Sequence, residues 1–286
     1  MLGTIFIVVS VVMLAILALC AVTAAGYVRK KMHKPPRSVW FRITSGVLVA
    51  ALFAAVTAFT MENVIDYKAD SSALEYLESG GSVNVTKERY TYFFDGPGED
   101  TAVIFYPGAL VQTEAYAPLM FMLAERGVDT FLVDMPLHIA PLGEHRADRI
   151  FGAHTYRRWY MAGHSLGGVA ASDYSAVNRN DISGMIFLAS YTVSDISHLG
   201  SACSIYGTCD KVFTVESYEN SRGLFPANFT EHLIDGGNHA QFASYGAQSG
   251  DGEALISADE QKRITVDAIL SYIEQDTGNL TMGGTE

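Results

Sequence analysis

The 286-residue chain has only three cysteines and few charged residues, which make up 17% of the sequence. Three cysteines are too few for a disulfide scaffold or a thiolate zinc cluster. Basic residues are scarcer than acidic ones, 19 against 31, and the net charge of −12 argues against a nucleic-acid partner. Soluble domains average about 25% charged residues, so the shortfall indicates long uncharged segments.

Two long uncharged runs lie near the start of the chain, at residues 5–25 and 43–60. As helices they would measure roughly 31 and 27 Å, close to the hydrocarbon thickness of a bilayer. They predict two transmembrane helices within a membrane anchor over residues 1–61. A buried core helix and a cleaved signal peptide ending at Ala25 are the alternative interpretations.

The basic residues of this anchor lie between the two runs, in 29–42. Loops rich in Lys and Arg remain on the cytoplasmic side, and a signal peptide would carry its basic residues before the apolar run. We therefore predict a helical hairpin at the cell membrane, with the rest of the chain outside the cytoplasm. Because residues 1–61 hold six basic and no acidic residues, that remainder carries 13 basic and 31 acidic side chains, a net charge of −18.

The remainder divides into a connector at 62–82, a globular region at 83–276 and a flexible tail at 277–286. Helical spacing of apolar residues appears over 114–126 and 259–274. Strand patterns occur in VNVTKERYTYFF, TAVIFYPG, DTFLVDMP, RRWYMAG, ISGMIFLASY, ACSIYG and FTEHLIDGG. Apolar strands that alternate with helical stretches predict an α/β fold, with a mainly parallel sheet covered on both faces and an antiparallel first strand at its edge.

A G-x-S-x-G pattern, Gly163-His-Ser165-Leu-Gly167, stands between the strand RRWYMAG and a helix rich in small residues. Its small residues permit a sharp strand-to-helix turn that projects the Ser165 hydroxyl from the edge of the sheet. The amides at the start of that helix point at the same spot. The pattern therefore predicts a nucleophile at Ser165, and the alternative is a glycine-rich turn with an exposed serine.

A nucleophilic serine needs a base, which is oriented in turn by a third group. Asp210 follows the strand ACSIYG, and His239 follows FTEHLIDGG, so both lie at the same edge of the sheet as Ser165. The order Ser, Asp, His predicts a catalytic triad. A turn-forming aspartate and a surface-loop histidine are the alternatives, and Asp195 is the alternative acid.

Backbone donors for an oxyanion are also present near the predicted nucleophile. The amide of Leu166 directly follows Ser165, and Ala109, in Pro107-Gly-Ala109 after TAVIFYPG, is the candidate for the second donor. Three residues that follow His239 are candidates for lining the substrate pocket: Phe242, Tyr245 and Gln248. Packing in the core is an equally good interpretation for them.

The stretches FYPGALVQTEAYAPL, VDMPLHIA, MAGHSLGG, SIYGTCD and GGNHAQFASYGAQSGD make residues 83–275 resemble an α/β-hydrolase. They are particularly similar to a bacterial group described as dienelactone-hydrolase-like. The resemblance implies an α/β-hydrolase fold with Ser165 as nucleophile, Asp210 as acid and His239 as base. Dienelactone hydrolases use a cysteine nucleophile, so Ser165 is a departure that argues against their substrate.

The predicted function is therefore that of a membrane-anchored serine hydrolase, which cleaves small-molecule carboxylic esters through an acyl-enzyme. An acyltransferase and a non-catalytic binding protein on the same fold are the alternatives. No cofactor is implied, and the histidine spacing indicates no metal site. The sequence indicates neither an oligomeric state nor a natural substrate.

Two further features concern the loops of the globular region. The span 191–201 is short for a lid, so we predict an open site that favours soluble or surface-presented esters over bulk lipid. Cys203 and Cys209 are six residues apart, close to 20 Å in a strand, whereas disulfide-bonded α-carbons lie about 6 Å apart. A disulfide would therefore require a tight reversal at Gly207.

Overall fold

The computed structural model describes residues 39–60, 67–178 and 182–282. The chain divides into two units, and the second begins at Tyr67. Residues 67–82, predicted to be part of a connector, thus belong to the second unit, where the Tyr67 amide donates to the carbonyl of Leu110.

The described part of the first unit is helix α1, Val39–Thr60, which contains the uncharged run 43–60. Apolar side chains of this helix are exposed, among them Trp40, Leu48 and Leu52. No helix in the described ranges is long and apolar enough to cross a membrane. The prediction of a span over 43–60 is therefore not supported, and the run 5–25 lies outside the described residues.

The second unit contains an eight-stranded sheet with the strand order β1-β2-β4-β3-β5-β6-β7-β8. Strands β1 and β2 are antiparallel to their neighbours, and all pairings from β4 through β8 are parallel. The predicted α/β fold with a mainly parallel sheet is confirmed. The strands are β1 Asn84–Glu88, β2 Thr91–Asp95, β3 Thr101–Tyr106, β4 Asp129–Val133, β5 Arg158–His164, β6 Ile182–Leu188, β7 Ser201–Gly207 and β8 Phe229–Ile234.

The stretch VNVTKERYTYFF forms two strands, β1 and β2, instead of the single edge strand that its alternation predicts. A two-residue turn, Arg89-Tyr90, joins them. Since neither residue is Gly, Asn, Asp or Pro, the turn interrupts the alternation without a recognisable signal. The Tyr90 carbonyl accepts a hydrogen bond from the Asp134 amide, which fastens this turn to the loop after β4.

The helices of the second unit are α2 Ser71–Leu74, α3 Ala117–Glu125, α4 Ala147–Ala153, α5 Leu166–Val177, α6 Val215–Asn220 and α7 Ala258–Met282. Helix α5 packs against the central strands β3, β5 and β6, while α3 and α7 contact each other and the outer strands. Helix α7 continues past residue 277, at which the tail was predicted to begin. Short 3₁₀ turns occur at Glu75–Leu77, Thr113–Tyr116, Pro136–His138, Ala140–Leu142, Glu144–Arg146, Arg222–Leu224 and Ala240–Phe242.

Every residue of β3 and of β4 is buried. Such strands need apolar side chains on both faces, which explains the continuous β-branched and aromatic runs in their sequences. The parallel strands β3 to β8 all end at the same edge of the sheet, and the loops that follow them carry the residues predicted to do chemistry.

Candidate active site

Ser165 occupies a strained turn between the end of β5 and the start of α5, with φ 53° and ψ −127°. A positive φ is uncommon for a residue with a side chain, and such strain is concentrated at functional sites. The two glycines of the motif permit the turn: a Cβ on Gly163 would lie 2.5 Å from the Gly167 carbonyl carbon, and one on Gly167 would lie 2.1 Å from the Tyr106 oxygen. The G-x-S-x-G spacing is therefore required by close backbone packing.

Hydrogen bonds to the last residue of β6 and to a residue just after this strand hold the backbone of Ser165 in place. Its amide donates to the Leu188 carbonyl over 3.0 Å, and its carbonyl accepts a 2.6 Å hydrogen bond from Ser190 Oγ. A Cβ on Gly168 would lie 2.4 Å from Ser190 Oγ, so the extra glycine of the motif makes room for this contact. Ser190 was not anticipated, because nothing in its local sequence marks it.

The structure brings His239 and Asp210 together. His239 Nδ1 lies 2.8 Å from Asp210 Oδ2, and the side chains are 2% and 1% exposed. The other oxygen, Asp210 Oδ1, accepts hydrogen bonds from the amides of Val212 and Phe213, each 2.8 Å long. The alternative acid, Asp195, is exposed and accepts a hydrogen bond from the Ser197 amide in its own loop.

The loop that carries His239 is fastened on both sides. Gln261, fully buried on α7, accepts from the Asn238 amide at 2.9 Å and donates to the Asn238 carbonyl at 2.7 Å. On the other side, Asp251 Oδ2 accepts from the Ala240 amide at 2.9 Å. The sequence does not mark Gln261, because its position in an amphipathic helix gives no sign of a contact 23 residues away.

The amides predicted to form the oxyanion hole differ from their neighbours in hydrogen bonding. Gly108 donates to Tyr116 Oη at 3.0 Å, and Leu110 donates to the His138 carbonyl at 2.7 Å. In the described part of the chain, the Ala109 and Leu166 amides have no hydrogen-bond acceptor. Both are therefore available to a developing negative charge.

A second histidine, His164, lies beside the His239 ring with 4.5 Å between the ring centroids. His164 is 1% exposed, and its Nδ1 lies 2.7 Å from Tyr116 Oη. Burial, reinforced by the nearby His239 side chain, lowers the pKa of His164 well below its ordinary value. His164 is therefore neutral at physiological pH.

The three pocket candidates have different surroundings. Phe242 is fully buried, with its ring 5.5 Å from that of His164. Tyr245 is 7% exposed, and its hydroxyl donates to Gln248 Oε1 at 2.7 Å. Gln248 lines a polar cavity of about 620 Å³, together with Gln241 and other residues. These contacts favour the packing interpretation for Phe242 and Tyr245.

The loop between β6 and β7, residues 189–200, contains neither helix nor strand. This finding agrees with the expectation of a short connection instead of a large lid. Cys203 and Cys209 are both free thiols, so the chain does not form the disulfide that a reversal at Gly207 would have permitted. Across the described residues, no group of three His, Cys, Asp or Glu side chains is placed to hold a metal ion.

A sequence model of the alpha/beta hydrolase family matches residues 102–263. No curated protein sequence matches the chain. Among solved structures, the carboxylesterase CesB of Bacillus subtilis is 8% identical, with a TM-score of 0.50 over 76% of this chain and 97% of that one.

Two further solved structures are similar. An esterase of M. tuberculosis is 11% identical, with a TM-score of 0.50 over 71% of this chain and 97% of that one. A dienelactone hydrolase of Anabaena variabilis is 12% identical, with a TM-score of 0.48 over 67% of this chain and 99% of that one. At such identities the similarity concerns the fold alone.

Proposed function

The chain belongs to the alpha/beta hydrolase family, and from this premise we propose that it is a serine hydrolase of carboxylic esters. One observation carries the proposal: the buried His239–Asp210 hydrogen bond lies at the edge of the sheet where the strained turn presents Ser165. A nucleophile, a base and a group that orients the base are the three parts that acyl transfer to a hydroxyl requires.

In the first step, Ser165 Oγ forms a bond to the ester carbonyl carbon while its proton passes to His239 Nε2. Asp210 keeps the other ring proton on Nδ1 and stabilises the imidazolium that forms. The carbonyl oxygen becomes negatively charged and accepts hydrogen bonds from the amides of Ala109 and Leu166. The bond to the alcohol then breaks, and the alcohol departs with the proton held by His239.

In the second step, water replaces the alcohol. It loses a proton to His239 Nε2 as its oxygen attacks the acyl-enzyme carbonyl. The bond to Ser165 Oγ then breaks, the proton returns to that oxygen, and a carboxylic acid is released. These steps use only groups of this chain and water.

The short loop between β6 and β7 supports a proposal about the class of ester that the site prefers. Residues 189–200 form a short loop without a helix that could cover Ser165. An open site accepts soluble or surface-presented esters without activation at a lipid interface. A rate for short nitrophenyl esters that increases sharply above their solubility limit would contradict this part of the proposal.

We also propose, on the sequence alone, that residues 1–61 anchor the chain to the cell membrane with the hydrolase region outside the cytoplasm. The support is the pair of uncharged runs, 5–25 and 43–60, with basic residues between them. The full chain should stay with membranes after a carbonate wash, and protease added to intact cells should digest it. Release into the wash, or protection from the protease, would contradict the proposal.

The chemistry is tested with a fluorophosphonate probe on the full chain. The wild-type protein should be labelled, and Ser165→Ala should be neither labelled nor active on short nitrophenyl esters. Ser175→Ala is the matched control, because Ser175 is buried on α5 and, among the described residues, its hydroxyl donates to the Ala171 carbonyl of the same helix.

The outcomes separate the three functions that use this fold. A folded wild-type protein that does not react with the probe would overturn the hydrolase proposal in favour of a binding protein. If an added alcohol or amine takes up the acyl group in place of water, the protein is an acyltransferase.

A further inference from the structure

Two consecutive hydrogen bonds link the loop after β3 to the last residue of β5. The Gly108 amide donates to Tyr116 Oη at 3.0 Å, and Tyr116 Oη lies 2.7 Å from His164 Nδ1. Tyr116 and His164 are both fully buried. The two ends of this connection adjoin the groups proposed to meet the substrate, because Gly108 precedes Ala109 and His164 precedes Ser165.

The donors available determine the direction of these hydrogen bonds. The Gly108 amide can only donate, so Tyr116 Oη accepts from it and keeps its own hydrogen for His164 Nδ1. His164 then accepts at Nδ1 and carries its proton on Nε2. The reverse assignment would leave the Tyr116 hydrogen without an acceptor, which is unfavourable in a buried site.

The protonation states of both side chains agree with this direction. Burial lowers the pKa of His164 well below its ordinary value and raises the pKa of Tyr116 above its ordinary range. The ring is therefore neutral and can accept, and the phenol keeps the hydrogen that it donates. Tyr116 Oη is the hydrogen-bond partner of Nδ1 of this ring.

We infer that Tyr116 and His164 are positioning residues, which hold the Ala109 amide and the Ser165 turn in one fixed arrangement. The inference rests on the proposed function. The Gly108 amide bonds to Tyr116 on one side of Ala109, and the Leu110 amide bonds to the His138 carbonyl on the other. The hydrogen bonds of its two neighbours, Gly108 and Leu110, thus fix the orientation of the Ala109 amide before substrate binds.

The close approach at Gly108 supports this role. A Cβ at this position would lie 2.9 Å from both Tyr116 Oη and His164 Nδ1. The loop therefore lies directly against the pair, and a small shift of either side chain moves the loop. Displacing a donor from a transition-state charge by about 1 Å can reduce a rate by about 100-fold.

The first test is Tyr116→Phe, which keeps the ring and removes the hydroxyl. We expect kcat for a short nitrophenyl ester to fall about tenfold or more while KM changes less than about twofold, since oxyanion contacts form mainly in the transition state. The matched control is Tyr160→Phe, in β5, which removes another buried hydroxyl, donated to Asp276 at 2.7 Å. It should lower the melting temperature and leave kcat unchanged.

The second test uses two substitutions of His164. In His164→Asn, the side-chain carbonyl can occupy about the position of Nδ1 and accept from Tyr116, whereas His164→Leu cannot accept a hydrogen bond. We expect the Asn variant to retain most of kcat and the Leu variant to lose it. Adding Tyr116→Phe to His164→Leu should reduce kcat little further, because the two residues act as one unit.

Measuring Ser165→Ala in parallel separates this inference from the proposed function. An active Ser165→Ala variant would overturn both. If Ser165→Ala is inactive but Tyr116→Phe keeps a kcat within about twofold of wild type, only the positioning role is overturned. If Tyr116→Phe does not fold, the inference is tested by the two His164 variants alone. Equal kcat values for His164→Asn and His164→Leu would then overturn it.

Discussion

Asp210 Oδ2 lies 2.8 Å from His239 Nδ1, in a contact from which water is almost excluded. A buried carboxylate is costly unless its oxygens are hydrogen-bonded. Here the second oxygen accepts hydrogen bonds from two backbone amides of its own loop, and the first oxygen faces the imidazole. The orientation of His239 is therefore determined before any substrate arrives.

Asp210→Asn should lower kcat for ester hydrolysis by about 10³- to 10⁴-fold. The amides of Val212 and Phe213 will select the carbonyl oxygen of the new side chain, so its NH₂ group will face His239 Nδ1. Nδ1 must then accept, which places the ring proton on Nε2, where the base has to be free. Steady-state kinetics measure the effect, and a kcat close to wild type would contradict it; the control Asp195→Asn should retain full activity.

Gln261→Leu should loosen the loop that carries His239. It removes both hydrogen bonds to the Asn238 backbone and leaves two buried polar groups unpaired. We expect the free energy of unfolding to fall by about 1–3 kcal/mol and kcat to fall severalfold. Urea unfolding and nitrophenyl ester kinetics measure the two effects. Gln275→Leu, at an exposed position of the same helix, should change neither, and equal behaviour of the two variants would count against this role.

Gly167→Ala should destabilise the turn at Ser165. Its Cβ would lie 2.1 Å from the Tyr106 carbonyl oxygen, a backbone atom that cannot move aside as a side chain can. The free energy of unfolding should drop by about 2 kcal/mol or more, with loss of probe labelling. Gly152→Ala, in helix α4 with open space around it, should instead raise stability by about 0.5–1 kcal/mol. A stable, labelled Gly167→Ala protein would refute this account of the motif.

Folding stability should decrease in mild acid because of His164. Its pKa is lowered in the folded state, so below the ordinary value of about 6.5 the unfolded chain binds a proton that the folded chain does not. The contribution of neutral His164 to the free energy of unfolding is thus complete above that pH. It is lost as the pH falls, by up to about 1.4 kcal/mol per pH unit. Urea unfolding at pH 7.5 and 5.5 should show a smaller decline for His164→Asn than for wild type.

The control for this pH effect is His145→Asn, because the His145 side chain is 65% exposed. The free energy of unfolding of His145→Asn should decline between pH 7.5 and 5.5 as much as that of the wild-type protein. If His164→Asn and wild type lose the same free energy between the two pH values, another group is responsible.

Much of the architecture could be predicted from local patterns. The continuous apolar runs predicted the parallel strands, because a strand buried on both faces has no polar side. The glycines around Ser165 predicted a turn, because only residues without Cβ fit there. The hairpin of β1 and β2 was missed, since Arg89-Tyr90 carries no turn signal, and α7 extends beyond its expected end because the tail contains no strong helix-breaking signal such as proline.

The sequence by itself determined the fold class, the turn at Ser165 and the candidates Asp210 and His239, since each depends on neighbours close in the chain. Only the tertiary structure decided that Asp210, and not Asp195, contacts His239. It also decided that Ser190 and Gln261 fasten the site and that Tyr116 joins Gly108 to His164. These contacts join residues 8 to 48 positions apart, and such partners are selected by the packing of strands and helices, which leaves no periodic trace in the chain.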